Sequence, residues 1–225
     1  MESGPRFTVG DGYAVYRGPA PDGTFHRHAA FQVAIAVRGE VAVVDGSGIC
    51  HRAVALVVPP MVGHRMLAAA ELLTFFVEPH CVFADGLRER CDNGIATDPE
   101  MRDLREEDLD VHPSSKLDPR LVDALDTLRD RSVPMPDLAA MVGLSPQRLR
   151  ALARRQVGMP LARWRVWARL RRAAEALQAD QSLAEAAITA GFADQAHLTR
   201  RMREMMGVTP ASVLPVLRGH TRRAT

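Results

Sequence analysis

The sequence predicts an α+β multidomain chain, a small β-barrel followed by an all-α region of about seven helices. Three observations carry this. Short runs rich in β-branched residues, cut by Gly, Asp and Pro, fill the first 83 residues. From Asp118 onward, apolar residues recur at helical spacing behind recognisable caps. Within that helical region a short device is built twice: a glycine turn, a capped helix bearing arginine, and a glycine stop.

The β elements come first. Phe31–Val37, Val41–Val44, Ala53–Val58 and Leu72–Val77 are short apolar runs, separated by RGE at 38–40, DGSG at 45–48 and PP at 59–60. Short strands at regular spacing, with turn residues between them, predict a sandwich or barrel over residues 1–84. Residues 85–117 are charged and hold one or two short helices at most, one of them capped at Asp98-Pro99. This segment is expected to be a connector that also carries a dimerising helix.

Residues 118–225 then read as helix after helix. Asp118-Pro119 opens a helix with Leu121, Leu125 and Leu128 on one face, and Asp137 is expected to cap the next. Ser145-Pro146 is a cap followed by a first-turn proline, and Gly158 ends that helix. A long helix follows over about 161–178, with Trp164, Trp167, Leu170, Ala174 and Leu177 at helical spacing. Ser182 and Glu185 form a capping box, Asp194 caps another helix, and Thr209-Pro210 starts the last.

Composition narrows the class. At 225 residues, 47% hydrophobic and 25% charged, the chain has the make-up of a soluble globular protein. No run approaches the ~18 apolar residues of a membrane span, and the start lacks a signal peptide's basic and apolar regions. A cytoplasmic location is expected. Cys50, Cys81 and Cys91 lack metal-ligand spacing and are expected to be reduced thiols, Cys50 buried and inert. The net charge of +2 conceals an asymmetry: residues 1–117 hold 11 basic and 17 acidic side chains, residues 118–225 hold 18 and 10. The helical half therefore has the attraction for a polyanion that the whole chain lacks.

The duplicated device carries the functional reading. GLSPQRLRALARRQVGMP at 143–160 and GFADQAHLTRRMREMMGVTP at 191–210 each place a turn glycine before a capped helix. Leu149, Leu152 and Ala153 face inward in the first helix, and Leu198, Met202 and Met205 in the second. That leaves Gln147, Arg148, Arg150, Ala151 and Arg154 outward in one, and Gln195, Ala196, His197, Thr199, Arg200 and Arg203 in the other. Gln and Arg pair bidentately with adenine and guanine edges in the major groove. Steeply joined helices around a glycine are the helix-turn-helix pattern.

On these motifs, residues 118–217 resemble the DNA-binding domain of AraC-family transcriptional regulators. The resemblance implies two recognition helices in successive major grooves of double-stranded DNA, held apart by the 161–178 helix. It implies Gln147, Arg150, Gln195, His197 and Arg200 as base readers, and Arg154, Thr199 and the caps Ser145 and Asp194 as positioning residues. Arg163, Arg165, Arg169, Arg171 and Arg172 on the spacer helix are assigned no DNA role. A homodimer, a small-molecule effector and RNA polymerase are the partners such a regulator implies, and no membrane.

His26-Arg-His28, then Gln32, then His64 in PPMVGH, resemble the metal site of cupin barrels. Two histidines one residue apart on a strand would point to one face, and imidazole suits a divalent transition metal. Gln32 stands where metal-binding cupins generally carry a glutamate. His26, His28 and His64 are thus candidate metal ligands, and with Gln32 candidate polar lining of an effector pocket. Phe25, Phe31, Phe75 and Phe76 are candidate apolar lining; His51 and His80 are expected at the surface. The expected function is a sequence-specific transcriptional regulator, not an enzyme, controlled by an effector or metal in a cupin-like barrel. The alternatives are a metal-dependent cupin enzyme with an accessory helical domain, and a ligand-independent DNA-binding dimer.

Overall fold

The structure, a computed structural model, describes residues 4–218. Its N-terminal region holds two sheets. Strands β1 (Arg6–Gly10), β2 (Tyr13–Ala20), β3 (Phe31–Ala36), β6 (Ala55–Val58), β8 (Ala69–Val77) and β9 (Ala96–Thr97) form an antiparallel sheet in the order β1-β2-β8-β3-β6-β9. Strands β4 (Val41–Asp45), β5 (Cys50–Ala53) and β7 (His64–Met66) form the second, in the order β5-β4-β7.

The run expected as one strand over 53–58 is two. The chain leaves the small sheet at Ala53 and enters the large one at Ala55; between them the Val54 carbonyl accepts from the Ala36 amide at 2.8 Å. Apolar patterning cannot reveal such a crossing, because both sides of it are equally apolar.

β3 is buried from Phe31 to Ile35, which explains why FQVAIA reads as a continuous apolar run. Alternate residues serve two layers. Ala34, Leu56, Val58 and Leu72 face the small sheet's Val41, Val43 and Met66. Val33, Ile35, Ala55, Val57 and Phe75 face the other way, toward α1 (Val82–Arg90) and the turns after it. The charged 85–117 segment is therefore packed onto the sheet. Leu87, Cys91, Met101, Leu104 and Leu109 cover its outer face, and Asp98 caps the turn over Pro99–Asp103.

The helical region comprises α2 (Pro119–Asp130), α3 (Met135–Met141), α4 (Pro146–Gln156), α5 (Leu161–Gln178), α6 (Leu183–Thr189), α7 (Gln195–Met206) and α8 (Pro210–Arg218). Residues 219–225 of the expected helical half lie outside the described range. The caps at Asp118, Ser145, Ser182 and Asp194 each accept a backbone N–H from the first turn. Asp137 does not cap α3. The helix begins two residues earlier, after Pro134, whose extended backbone and the following Pro136 suit a helix entrance.

The sheet and helical regions share one core. Ala14, Ala29, Ala30 and Phe76 of the sheet side join Leu121, Leu125, Leu128, Trp164 and Trp167. At this junction Glu78, 1% exposed, accepts from Trp167 Nε1 at 3.3 Å and from Arg171 Nη1 at 3.1 Å. Arg171 also donates to the Gly10 carbonyl, and Arg129 stands 3.9 Å from Glu78 and 2.9 Å from Asp11. His80, expected at the surface, is buried here. Its Nε2 lies 3.1 Å from Asp126, and its ring meets Trp164 edge-on, because the turn after β8 runs beneath α2.

Candidate nucleic-acid interface and histidine site

In each helix-turn-helix a left-handed glycine turns the chain, Gly143 at φ +65° and Gly191 at φ +83°. Only a residue without a Cβ enters that region freely. Leu149, Leu152 and Ala153 bury α4 against α2, α3 and α5. Leu198 seats α7 on Ala173, Ala187, Ala190 and Phe192, and Met205 joins the main core. Met202, expected inward, is half-buried and lines an apolar cavity between the sheet and helical regions.

The opposite faces stay open. Gln147, Arg148, Arg150, Ala151 and Arg154 on α4 are all exposed, as are Gln195, Ala196, Arg200 and Arg203 on α7. Among the described residues no carboxylate forms an ion pair with Arg148, Arg150, Arg154, Arg200 or Arg203. Arginines on packing faces behave differently: Arg171, Arg129 and Arg201 all hold carboxylates, and Arg172 donates to the Leu128 and Arg129 carbonyls.

Two of the expected outward residues are occupied locally. The His197 ring stacks edge-on against buried Phe192, its Nδ1 lies 3.4 Å from the Ala193 amide, and Arg201 Nε approaches its Nε2 at 3.4 Å. Thr199 donates its hydroxyl to the Gln195 carbonyl. Sequence periodicity puts both on the outer face, but the turn residue Phe192 draws the imidazole back.

The rim of the sheet region, the loop at Thr24 and Phe25, stands beside the second helix. Thr24 and Phe25 share a cleft with Gln195, Ala196, Thr199, Arg200 and Arg203. Gly207, at φ +69°, stops α7 where the rim touches it: a Cβ there would lie 2.6 Å from His26 Nδ1 and 3.0 Å from the Thr24 carbonyl. No feature of the sequence marks Thr24, whose contact with Gly207 spans 183 residues, and Phe25 reads there only as pocket lining.

His26 and His28 do not lie on a strand. His26 makes an isolated bridge to His64, and the segment around His28 is loop. The three rings converge nonetheless, with centroids 4.4 to 5.7 Å apart and one ligand nitrogen of each within 4.8 Å of the others. Each Nδ1 faces a backbone carbonyl, that of Thr24, Ala30 or Val62, at 2.8, 2.8 and 3.0 Å. A carbonyl only accepts, so each neutral ring carries its proton on Nδ1 and leaves Nε2 bare. Burial, followed by repulsion from the neighbouring ring, pushes His28 down to about 4; the same causes take His64 to about 2, and burial lowers His26 as well.

Gln32 Oε1 then lies 2.8 Å from His28 Nε2 and 3.0 Å from His64 Nε2, an acceptor opposite two acceptors. Two arrangements resolve this. A half-turn of the amide lets its NH2 donate to both rings, or a cation takes the lone pairs. The donor set fits the second: three neutral imidazoles, each oriented by a second hydrogen bond, plus an amide oxygen.

Of the aromatic lining expected, Phe25 is half exposed on the rim, and Phe31 and Phe75 pack outward under α1. Phe76 bridges His28 and Trp167, with centroids 5.5 and 6.1 Å away. Parity along the strands, rather than aromaticity, decides which face each one takes. His51 is partly buried and 2.8 Å from Asp45. Cys50 is exposed, whereas Cys81 and Cys91 are buried, with burial raising both to about 11. Among the described residues no helix is long and apolar enough to cross a membrane.

A sheet unit joined to a helical unit that carries two helix-turn-helix motifs, each with an open, arginine-bearing face, is the class that the structure defines. Residues 138–214 match the helix-turn-helix domain family. The whole chain is similar in fold to ToxT from Vibrio cholerae O395, at 9% identity and a TM-score of 0.61, covering 93% of this chain and 100% of that one. It is similar also to ToxT of Vibrio cholerae strain SCE256 solved with an unsaturated fatty acid bound, at 10% identity and a TM-score of 0.60, covering 97% and 99%. An AraC-type transcriptional regulator from Chromobacterium violaceum has 22% identity, over 48% of this chain and 96% of that chain, with a TM-score of 0.42. No curated protein sequence matches the chain.

Proposed function

We propose that the protein is a sequence-specific transcriptional regulator whose N-terminal region senses a ligand and whose residues 118–225 read double-stranded DNA. The observation that carries this is the pair of capped helices with exposed Gln and Arg, whose arginines have no carboxylate within ion-pair distance among the described residues. Gln147, Arg150, Gln195 and Arg200 are the base-reading candidates; Arg148, Ala151, Arg154, Ala196, Thr199 and Arg203 would contact phosphates or groove walls. His197 serves to hold the α7 entrance. The chain would act in the cytoplasm, as a homodimer, without enzymatic turnover. Genome-wide footprinting tests the reading: discrete protected sites are expected, and uniform low occupancy would sink it.

For control, a divalent transition metal held by His26, His28 and His64, with Gln32 beside it, is the reading that the convergent lone pairs favour. The metal would supply a fixed positive charge that locks the three rings. His26 packs against Gly207, so locking the rings would be felt at the stop of α7. Metal analysis of untagged protein tests this: near-stoichiometric metal in the wild type, lost in His28→Ala, is expected, and none in either would remove the metal.

A second reading of the effector rests on the apolar cavity of ≈ 70 Å³ between Phe7, Phe76, Trp167, Met202, Met206 and Leu217. The fatty-acid-bound ToxT structure makes an apolar effector reasonable there. Organic extraction of purified protein followed by mass spectrometry decides between the two.

A further inference from the structure

Arg165 lies in the second turn of α5 and has no role legible in the sequence. Its Nε and Nη2 are both shielded from solvent without a hydrogen-bond partner among the described residues. Unpaired buried N–H groups are rare in folded proteins, and a guanidinium is among the least tolerable. Its surroundings deepen the anomaly. A recess of ≈ 300 Å³ brings Arg165 together with Arg150 and Arg154 of α4, walled by Met135, Pro160 and Leu161, and no carboxylate among the described residues lines it. Burial, with repulsion from Arg169 and Arg150, lowers the Arg165 pKa, so nearby charge opposes rather than compensates it.

Three guanidinium groups around a small recess, two on the outer face of a recognition helix, call for an oxyanion. Arginine presents a planar fork of donors matched to phosphate oxygens. We propose that Arg165, with Arg150 and Arg154, seats one backbone phosphate of the DNA that the first helix-turn-helix engages. This rests on the DNA-binding reading above and refines it: the spacer helix contacts the duplex, and Arg150 holds a phosphate instead of a base edge. Base reading by α4 then falls to Gln147 and Ala151.

The test uses a duplex that the full-length wild type selects from a random library, and an unrelated duplex. Binding is measured from about 50 to about 200 mM salt for wild type, Arg165→Gln and Arg165→Lys. Each phosphate contact contributes about −0.9 to the slope of log K against log salt. Arg165→Gln is expected to flatten the slope by about that amount and weaken both duplexes by a similar factor, roughly tenfold, with Arg165→Lys recovering much of the slope. Without DNA, Arg165→Gln should melt no lower than wild type, since it relieves like-charge repulsion; a merely structural role would lower it. Arg150→Ala should weaken both duplexes alike.

A wild-type slope in Arg165→Gln, with the wild type still binding steeply, overturns the phosphate seat and leaves the DNA reading intact. A wild type that selects no duplex overturns the DNA reading itself. If inorganic phosphate raises the melting temperature of wild type but not of Arg165→Gln, while the DNA slopes coincide, the recess takes a free oxyanion and the DNA form is overturned.

Discussion

The Thr24 hydroxyl donates to the Gly207 carbonyl oxygen across 3.1 Å, tying the rim of the sheet region to the stop of α7. The tether lies at one end of the cleft where Thr24 and Phe25 face Gln195, Arg200 and Arg203. A major groove ~12 Å wide admits a helix but not a helix with the rim beside it. Thr24→Val keeps the shape and removes the donor. A hydrogen bond of this kind contributes ~0.5–1.5 kcal/mol, so DNA affinity should rise by up to about tenfold in a titration. Equal affinity in the two proteins would mean that the rim does not compete with DNA.

Glu78 is the anionic centre of the junction, almost without exposure and bonded to Arg171 and Trp167. Glu78→Gln keeps the volume and removes the charge that Arg171 and Arg129 face. Breaking a buried pair on one side costs about 3–5 kcal/mol. Arg129 stands farther off and is partly exposed, so a loss nearer the lower figure is expected in urea unfolding. A change below about 1 kcal/mol would show that the arginines find other partners.

Stability should fall on mild acidification. His28 and His64 titrate well below the ordinary histidine value of ~6.5 in the folded state, at about 4 and about 2, chiefly through burial. The unfolded chain therefore takes up protons from about pH 6.5 downward while the folded site stays neutral. Their contribution is complete above about pH 6.5. It declines toward about pH 4 for His28 and further for His64, by at most ~1.4 kcal/mol per pH unit for each ring. Urea unfolding of chelator-treated protein at about pH 7, 6 and 5 measures the decline. His28→Gln should flatten it, and an equally steep decline in that variant would remove His28 as its source.

Arg200 and His197 separate by kind of effect. Arg200→Ala removes an exposed guanidinium on the open face of α7 and should weaken specific binding by ~1–3 kcal/mol, relaxing one base position. His197→Ala should instead lower the melting temperature, because its ring packs on Phe192 and meets Arg201. A selection experiment with each variant distinguishes them: an unchanged recovered motif for Arg200→Ala, or an altered one for His197→Ala, would contradict this division.

The helical half is legible in the sequence because its signals are local. Asp118, Ser145, Ser182 and Asp194 sit within three residues of the amides they cap, and Gly143 and Gly191 mark their own turns. The one displaced start, at α3, arises where Pro134 competes with Asp137. The sheets are less legible, since β5 and β6 belong to different sheets with only Val54 between them. Contacts set by distant chain are invisible in the sequence: the burial of His80 under α2, the rim against Gly207, and the turn of Arg165 under α4. The histidine cluster is legible from residue type alone. Its rings converge through loop geometry and the bridge from His26 to His64, rather than through the strand alternation that the sequence suggests.

The three thiols differ enough in setting to be told apart by a reagent. Cys81 and Cys91 are enclosed and held protonated near neutrality, while Cys50 stands free on the small sheet. A maleimide dye at neutral pH should mark that one position in the native protein, without any engineered cysteine. The unaltered chain thus supplies its own attachment point for following, by fluorescence, how the sheet half shifts when duplex is added.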